Sequence, residues 1–179
     1  MFRRLSDPPE LMRSNLTARF IYLLVVFSLT LLSQAKAQKA SVIKLPQLQE
    51  LLSASNDTTY VVNFMATWCG PCMEEIPYFE KAAGEVQGKK FRLVYISLDA
   101  ASDLDKKLNP LLVRKKILTR TYLLDEPDYN SWIDKIEPSW DGAIPVTIVF
   151  NNEKKTRKFI KTATTYQELS STIQQQLNN

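Results

Sequence analysis

The chain reads as one long apolar run followed by alternating strand-like and helix-like patterns. Residues 20–32 (FIYLLVVFSLTLL) are uncharged and mostly apolar, yet thirteen residues fall short of the roughly 20 that a spanning helix needs. From residue 38 onward the periods shorten. Leu48, Leu51 and Leu52 share one helical face over Leu45–Ser53, with Pro46 near its start. Thr59–Ala66 (TYVVNFMA) is rich in β-branched and aromatic residues and predicts a buried central strand. A helix is expected from about Cys72 to Val86, ending near Gly88, and a strand over Phe91–Leu98. Ser102 and Asp105 read as a capping box opening a helix that Asn109-Pro110 interrupts. Thr119–Leu124 reads as a strand and Tyr129–Ile136 as a short helix. Val146–Phe150 and Thr156–Ile160 read as a hairpin around Asn151-Asn152-Glu153, and Thr165–Leu177 as a closing amphipathic helix. After the first helix, the order βαβαβαββα predicts an α/β sandwich with a central mixed β-sheet flanked by helices. No repeat, low-complexity tract or second globular domain interrupts it.

The apolar run has cations before it and Ala35-Lys36-Ala37 after it. That is the charged region, apolar region and A-x-A cleavage pattern of a secretory signal. The expected division is a signal peptide over 1–37 and one domain over 38–179. A start at Met12 would shorten the signal to 26 residues. The alternative is an uncleaved amino-terminal anchor formed by residues 20–32. Export places the domain in an oxidising compartment, the periplasm on this reading.

Charge changes the picture less than the pI of about 9.0 suggests. Five of the 23 cations and two of the 19 anions lie in residues 1–37, which leaves a net charge of +1 for the rest. Nothing in that balance points to a nucleic-acid partner. The chain has no histidine, which excludes Ser-His and Cys-His nucleophile pairs, His-ligated metals and imidazole bases. Two cysteines are too few for a structural zinc site, so no metal is expected. The remaining chemistry belongs to carboxylates, lysines and the cysteines.

Both cysteines lie in Trp68-Cys69-Gly70-Pro71-Cys72, directly after the predicted central strand and at the start of a helix. A C-x-x-C in that setting reads as a redox motif. A helix N-terminus presents unpaired N–H groups and the positive end of the dipole, which favour a thiolate. Cys69 is therefore the expected nucleophile and Cys72 the resolving thiol. The plainer reading is a static structural disulfide.

The segment from Asn63 to Pro77 (NFMATWCGPCMEEIP), together with Gly142 to Thr147 (GAIPVT), resembles the thioredoxin superfamily. More narrowly it resembles the exported TlpA/ResA-like thiol–disulfide oxidoreductases, over roughly Val42 to Leu177. The resemblance implies a thioredoxin-like fold and no cofactor beyond the redox-active Cys69–Cys72 disulfide. It also implies a cis Ile144-Pro145 bond packed beside the cysteines, with the Ile144 backbone pairing to an extended substrate. Trp68 would shield the nucleophile, and Gly70 and Pro71 complete the substrate-facing motif. Pro77 would match the helix-kinking proline of the superfamily. Where cytosolic thioredoxins carry a buried Asp this chain has Asn63, as the TlpA/ResA-like branch tends to. Glu75 matches that branch's carboxylate three residues after the second cysteine.

Spacing of three also puts Glu75 on the helix face of Cys72, where it can exchange a proton with the thiol. The bland alternative is a first-turn charge that complements the helix dipole. Trp140 either lines a docking surface or fills the core. The expected function is reduction of disulfides in client proteins by a monomer recharged from a membrane electron donor. The rivals are a disulfide oxidase or isomerase, a non-catalytic thioredoxin-fold binding module, and a peroxidase, whose cysteine pattern is missing.

Overall fold

The computed structural model describes residues 39–178, together with Arg19 and Tyr22. The chain divides into two units, residues 1–36 and 37–179. In the first, Arg19 and Tyr22 are helical. The rest of the expected signal, including the Ala35-Lys36-Ala37 cleavage pattern, lies outside the described residues.

The second unit opens with strand β1 (Ser41–Ile43) and helix α1 (Leu45–Leu52). Strand β2 (Thr59–Met65) leads to helix α2 (Gly70–Glu85), and β3 (Phe91–Ser97) follows. A 3-10 turn (Ala101–Asp103) and a π turn (Leu104–Leu108) precede α3 (Asn109–Arg114) and β4 (Arg120–Leu124). A second 3-10 turn (Tyr129–Ser131), α4 (Ile133–Ile136), β5 (Val146–Asn151), β6 (Thr156–Ile160) and α5 (Tyr166–Asn178) complete it.

The six strands form one mixed sheet in the order β1-β4-β3-β2-β5-β6. β2 pairs parallel with β3 and antiparallel with β5, so it lies inside the sheet. All seven of its residues are buried, as expected for a strand covered on both faces. Successive side chains alternate between the two sides. Val61 and Met65 pack with Tyr95, Ile76, Phe79 and Leu112 beneath α2, α3 and α5. Tyr60, Val62 and Phe64 pack with Leu48, Trp132, Ile133 and Trp140 beneath α1 and α4.

The structure corrects the sequence reading in three places. β1, parallel to β4 at the sheet edge, was not expected; three residues are too few to carry a period. The helix expected to open at a Ser102–Asp105 capping box opens instead with a 3-10 turn that contains Ser102, and has no side-chain cap there. Asn109-Pro110 does not interrupt it. Pro110 lies in the first turn of α3, where its missing N–H costs no helical bond, and the π turn precedes it. Finally, α2 begins at Gly70, two residues before the expected start, because Cys69 serves as its N-cap and Pro71 occupies its first turn.

Pro77 lies within α2. Having no N–H, it leaves the Met73 carbonyl without its helical donor. Lys115 Nζ donates to that oxygen at 3.1 Å, tying the end of α3 to the second turn of α2.

Candidate active site

The site is built where β2 ends and α2 begins. Cys69 and Cys72 form a disulfide with an S–S length of 2.05 Å. The Cys72 backbone N–H donates to Cys69 Sγ at 3.3 Å. An N–H and a helix N-terminus aimed at this sulfur both favour its thiolate once the bond is reduced. Cys69 is 5% exposed and Cys72 fully buried, so access differs in the expected direction but by little. In the reduced, folded chain Cys69 is expected to alkylate well before Cys72, which peptide mapping after a brief iodoacetamide pulse will show.

Ile144-Pro145 is a cis peptide. The Ile144 carbonyl oxygen lies 3.8 Å from Cys69 Sγ, within reach of a reduced Cys69 S–H. Pro145 is buried and Ile144 half-buried. Trp68, 65% exposed, stands beside the disulfide, and Gly70 and Pro71 are exposed as well. These five residues and the two sulfurs thus meet at one end of the sheet. Trp140 does not join them at the surface. It is buried against Phe64 and Trp132, and its Nε1 donates to the Ala143 carbonyl at 2.7 Å. It fills the core and braces the segment that carries Ile144.

Glu75 is 2% exposed. Its Oε1 accepts from Asn63 Nδ2 at 2.8 Å and its Oε2 from the Thr164 N–H at 3.1 Å. Asn63 Nδ2 also donates to Thr147 Oγ1 at 3.0 Å. Burial raises the Glu75 pKa above the ordinary carboxylate value, against the opposing pull of the Thr164 and Asn63 donors. Because α2 starts at Gly70, Glu75 falls beyond the first turn, and that turn holds no acidic residue. The first-turn dipole reading of Glu75 therefore fails.

Asp99 was missed. It is buried just past β3, and its carboxylate accepts from the Thr67 N–H at 3.0 Å, from Thr67 Oγ1 at 2.6 Å and from Ser97 Oγ at 2.6 Å. It fixes Thr67, two residues before Cys69, to the end of β3. An Asp closing a β-rich run is the only trace it leaves in the sequence. Asp99→Ala strands the Thr67 donors and is expected to cost about 2–4 kcal/mol, with Asp99→Asn costing less; urea unfolding measures both. Among the described residues, no group of three or more Cys, Asp or Glu could hold a metal ion.

A mixed sheet with a disulfide capping the helix that follows an internal strand, beside a cis-proline, defines a thioredoxin-like dithiol protein. The chain belongs to the AhpC/TSA family, whose profile matches residues 34–159. The thioredoxin of Mycoplasma genitalium is 38% identical over 65 residues, covering 36% of this chain and 60% of that protein. Thiol-disulfide oxidoreductase ResA of Oceanobacillus iheyensis is 44% identical over 39 residues, 22% of this chain and 20% of that protein. The crystal structure of a thioredoxin-related protein from Neisseria meningitidis serogroup B superposes with a TM-score of 0.60 at 20% identity, covering 72% of this chain and 91% of that one. The chain thus spans less than two thirds of the length of either curated relative.

Proposed function

We propose that the protein is an exported thiol–disulfide oxidoreductase that reduces disulfides in client proteins. One observation carries this reading: the Cys69–Cys72 disulfide sits at a helix N-terminus with a backbone N–H on Cys69 Sγ, beside the Ile144 carbonyl. In the reduced form the Cys69 thiolate attacks a client disulfide and displaces one client sulfur as a thiolate. The Cys72 thiol gives its proton to Glu75 and attacks Cys69 Sγ, which closes the internal disulfide and releases the second client sulfur. Each departing thiolate takes up a proton, so the client gains two electrons and two protons. Trp68, Gly70, Pro71, Ile144 and Pro145 form the surface against which an extended client segment lies.

The Gly-Pro pair between the cysteines is the one found in thioredoxin and supports the reducing direction. Export rests on the pattern of residues 1–37. A reductant in an oxidising compartment needs recharging, hence a membrane electron donor; the chain acts as a monomer. The test is catalysed reduction of insulin disulfides by the full chain with a dithiol donor. Turnover by the wild type and none by Cys69→Ser supports the reading, and equal rates with and without the protein defeat it.

A further inference from the structure

An extended client can pair only with main-chain groups that the protein itself leaves open. Three consecutive residues beside the dithiol, Ala143, Ile144 and Pro145, differ in this respect. The Ala143 N–H donates to Asp141 Oδ1 at 3.0 Å, and the Ala143 carbonyl accepts from Trp140 Nε1 at 2.7 Å. Pro145 has no N–H to give. The Ile144 N–H has no backbone partner among the described residues, and the Ile144 carbonyl lies 3.8 Å from Cys69 Sγ. A bridge in which client and protein exchange both N–H···O bonds is therefore confined to Ile144, the residue beside the expected nucleophile.

The loop that imposes this arrangement is fixed from the core outward. The Trp140 ring is buried against Phe64, Trp132 and Phe159, and its backbone N–H donates to the Glu137 carbonyl at 2.9 Å. Gly142 carries the chain from Asp141 to Ala143 at a φ of 90°, a region that side-chain-bearing residues rarely enter. A Cβ at that position would also meet Ile133 Cδ1 at 3.3 Å. One of the two bonds to Ala143 is thus anchored in the interior. The other comes from Asp141, which is exposed.

We infer that Trp140 and Asp141 are positioning residues for the client. By engaging both main-chain groups of Ala143 they hold Ile144 ready to pair before a client arrives. The inference rests on the oxidoreductase reading and assigns part of its affinity for peptide clients to two side chains outside the dithiol motif. Its consequence is confined to binding. A loop released from either bond spends part of its time in other shapes, and apparent affinity falls with the fraction of time the competent shape is held. A bound client restores that shape, so the exchange step that follows keeps its rate. Loss of one hydrogen bond of ordinary net strength corresponds to about a fivefold change. A disulfide without a peptide backbone has nothing to pair with Ile144 and is unaffected.

The experiment is single-turnover oxidation of the reduced full chain, followed by thiol labelling. The oxidant is insulin at graded concentrations or, separately, hydroxyethyl disulfide, which has no peptide backbone. Asp141→Ala removes the acceptor of the Ala143 N–H at an exposed position, whereas Asp141→Asn drops the charge and keeps an oxygen there. Trp140→Phe removes the Nε1–H and some packing. Its control is Trp132→Phe, the same change in a buried ring 5.6 Å away whose Nε1 donates to the Glu126 carbonyl instead. Asp141→Ala and Trp140→Phe should each raise the half-saturating insulin concentration about fivefold, with the limiting rate and the hydroxyethyl disulfide rate unchanged. Asp141→Asn and Trp132→Phe should match the wild type. The inference is overturned, with the dithiol chemistry left standing, by any of four results: Asp141→Asn as weak as Asp141→Ala, Trp132→Phe as weak as Trp140→Phe, equal slowing with both oxidants, or variants that all behave as wild type. A wild type that insulin does not oxidise defeats the oxidoreductase reading itself, and the inference falls with it.

Discussion

Cys72→Ser is expected to turn the protein from a catalyst into a trap. Cys69 retains its place as N-cap of α2, with the residue-72 N–H still directed at Sγ, so attack on a client disulfide survives. Resolution does not, because a serine hydroxyl remains protonated and cannot displace the client sulfur. Turnover should fall by several orders of magnitude, and covalent Cys69–client adducts should accumulate on non-reducing gels and vanish with dithiothreitol. Cys69→Ser should abolish turnover and form no such adducts. Adducts from Cys69→Ser but not from Cys72→Ser would reverse the two roles.

Glu75→Gln carries the second large effect, and two influences oppose each other in it. Removing a buried carboxyl three residues along α2 from Cys72 is expected to lower the apparent pKa of the dithiol and increase the thiolate fraction. On the proposed exchange, removing Glu75 as base leaves the Cys72 proton without an acceptor, a loss on the order of 10²-fold for a positioned general base. Near neutral pH the second should win, so exchange slows even though Cys69 ionises more readily. Because the thiols and the carboxyl are coupled, their titration gives macroscopic values for the group. Stability carries an independent signature. Burial raises the folded-state pKa of Glu75, so its contribution is present below the unfolded carboxylate range and is lost as pH rises through the folded titration. The oxidised wild type should lose stability over that interval, and the Gln variant should show a flatter profile there. Urea midpoints at a series of pH values measure it. Coincident rates and coincident profiles would return Glu75 to a packing role.

Much of this arrangement is written in local pattern. β2, β3 and β5 are legible because strands covered on both faces become near-continuous apolar runs, and the β5–β6 hairpin because Asn151-Asn152 marks its turn. The dithiol motif is legible because it joins a strand to a helix. What escapes the sequence is contact across distance. Asn63 and Glu75 are 12 residues apart, and Thr164 is 89 from Glu75, so their shared cluster exists only once β2, α2 and the segment before α5 are packed. Asp99 reaches Thr67 over 32 residues in the same way. The start of α2 escapes for a local reason: a sulfur accepting an N–H at the N-cap lies outside the usual Ser, Thr, Asp and Asn signals. Trp140 was ambiguous because the same residue type serves cores and docking faces, and its bond to Ala143 decides the matter.

The most direct test of a reducing dithiol is the redox equilibrium of the pair itself, followed by thiol labelling of the full chain across a graded series of dithiol–disulfide buffers. A single two-electron transition with a midpoint near that of thioredoxin, about −270 mV, is expected. A midpoint near about −120 mV, the range of a strong oxidant, or a disulfide that stays closed throughout, would contradict it.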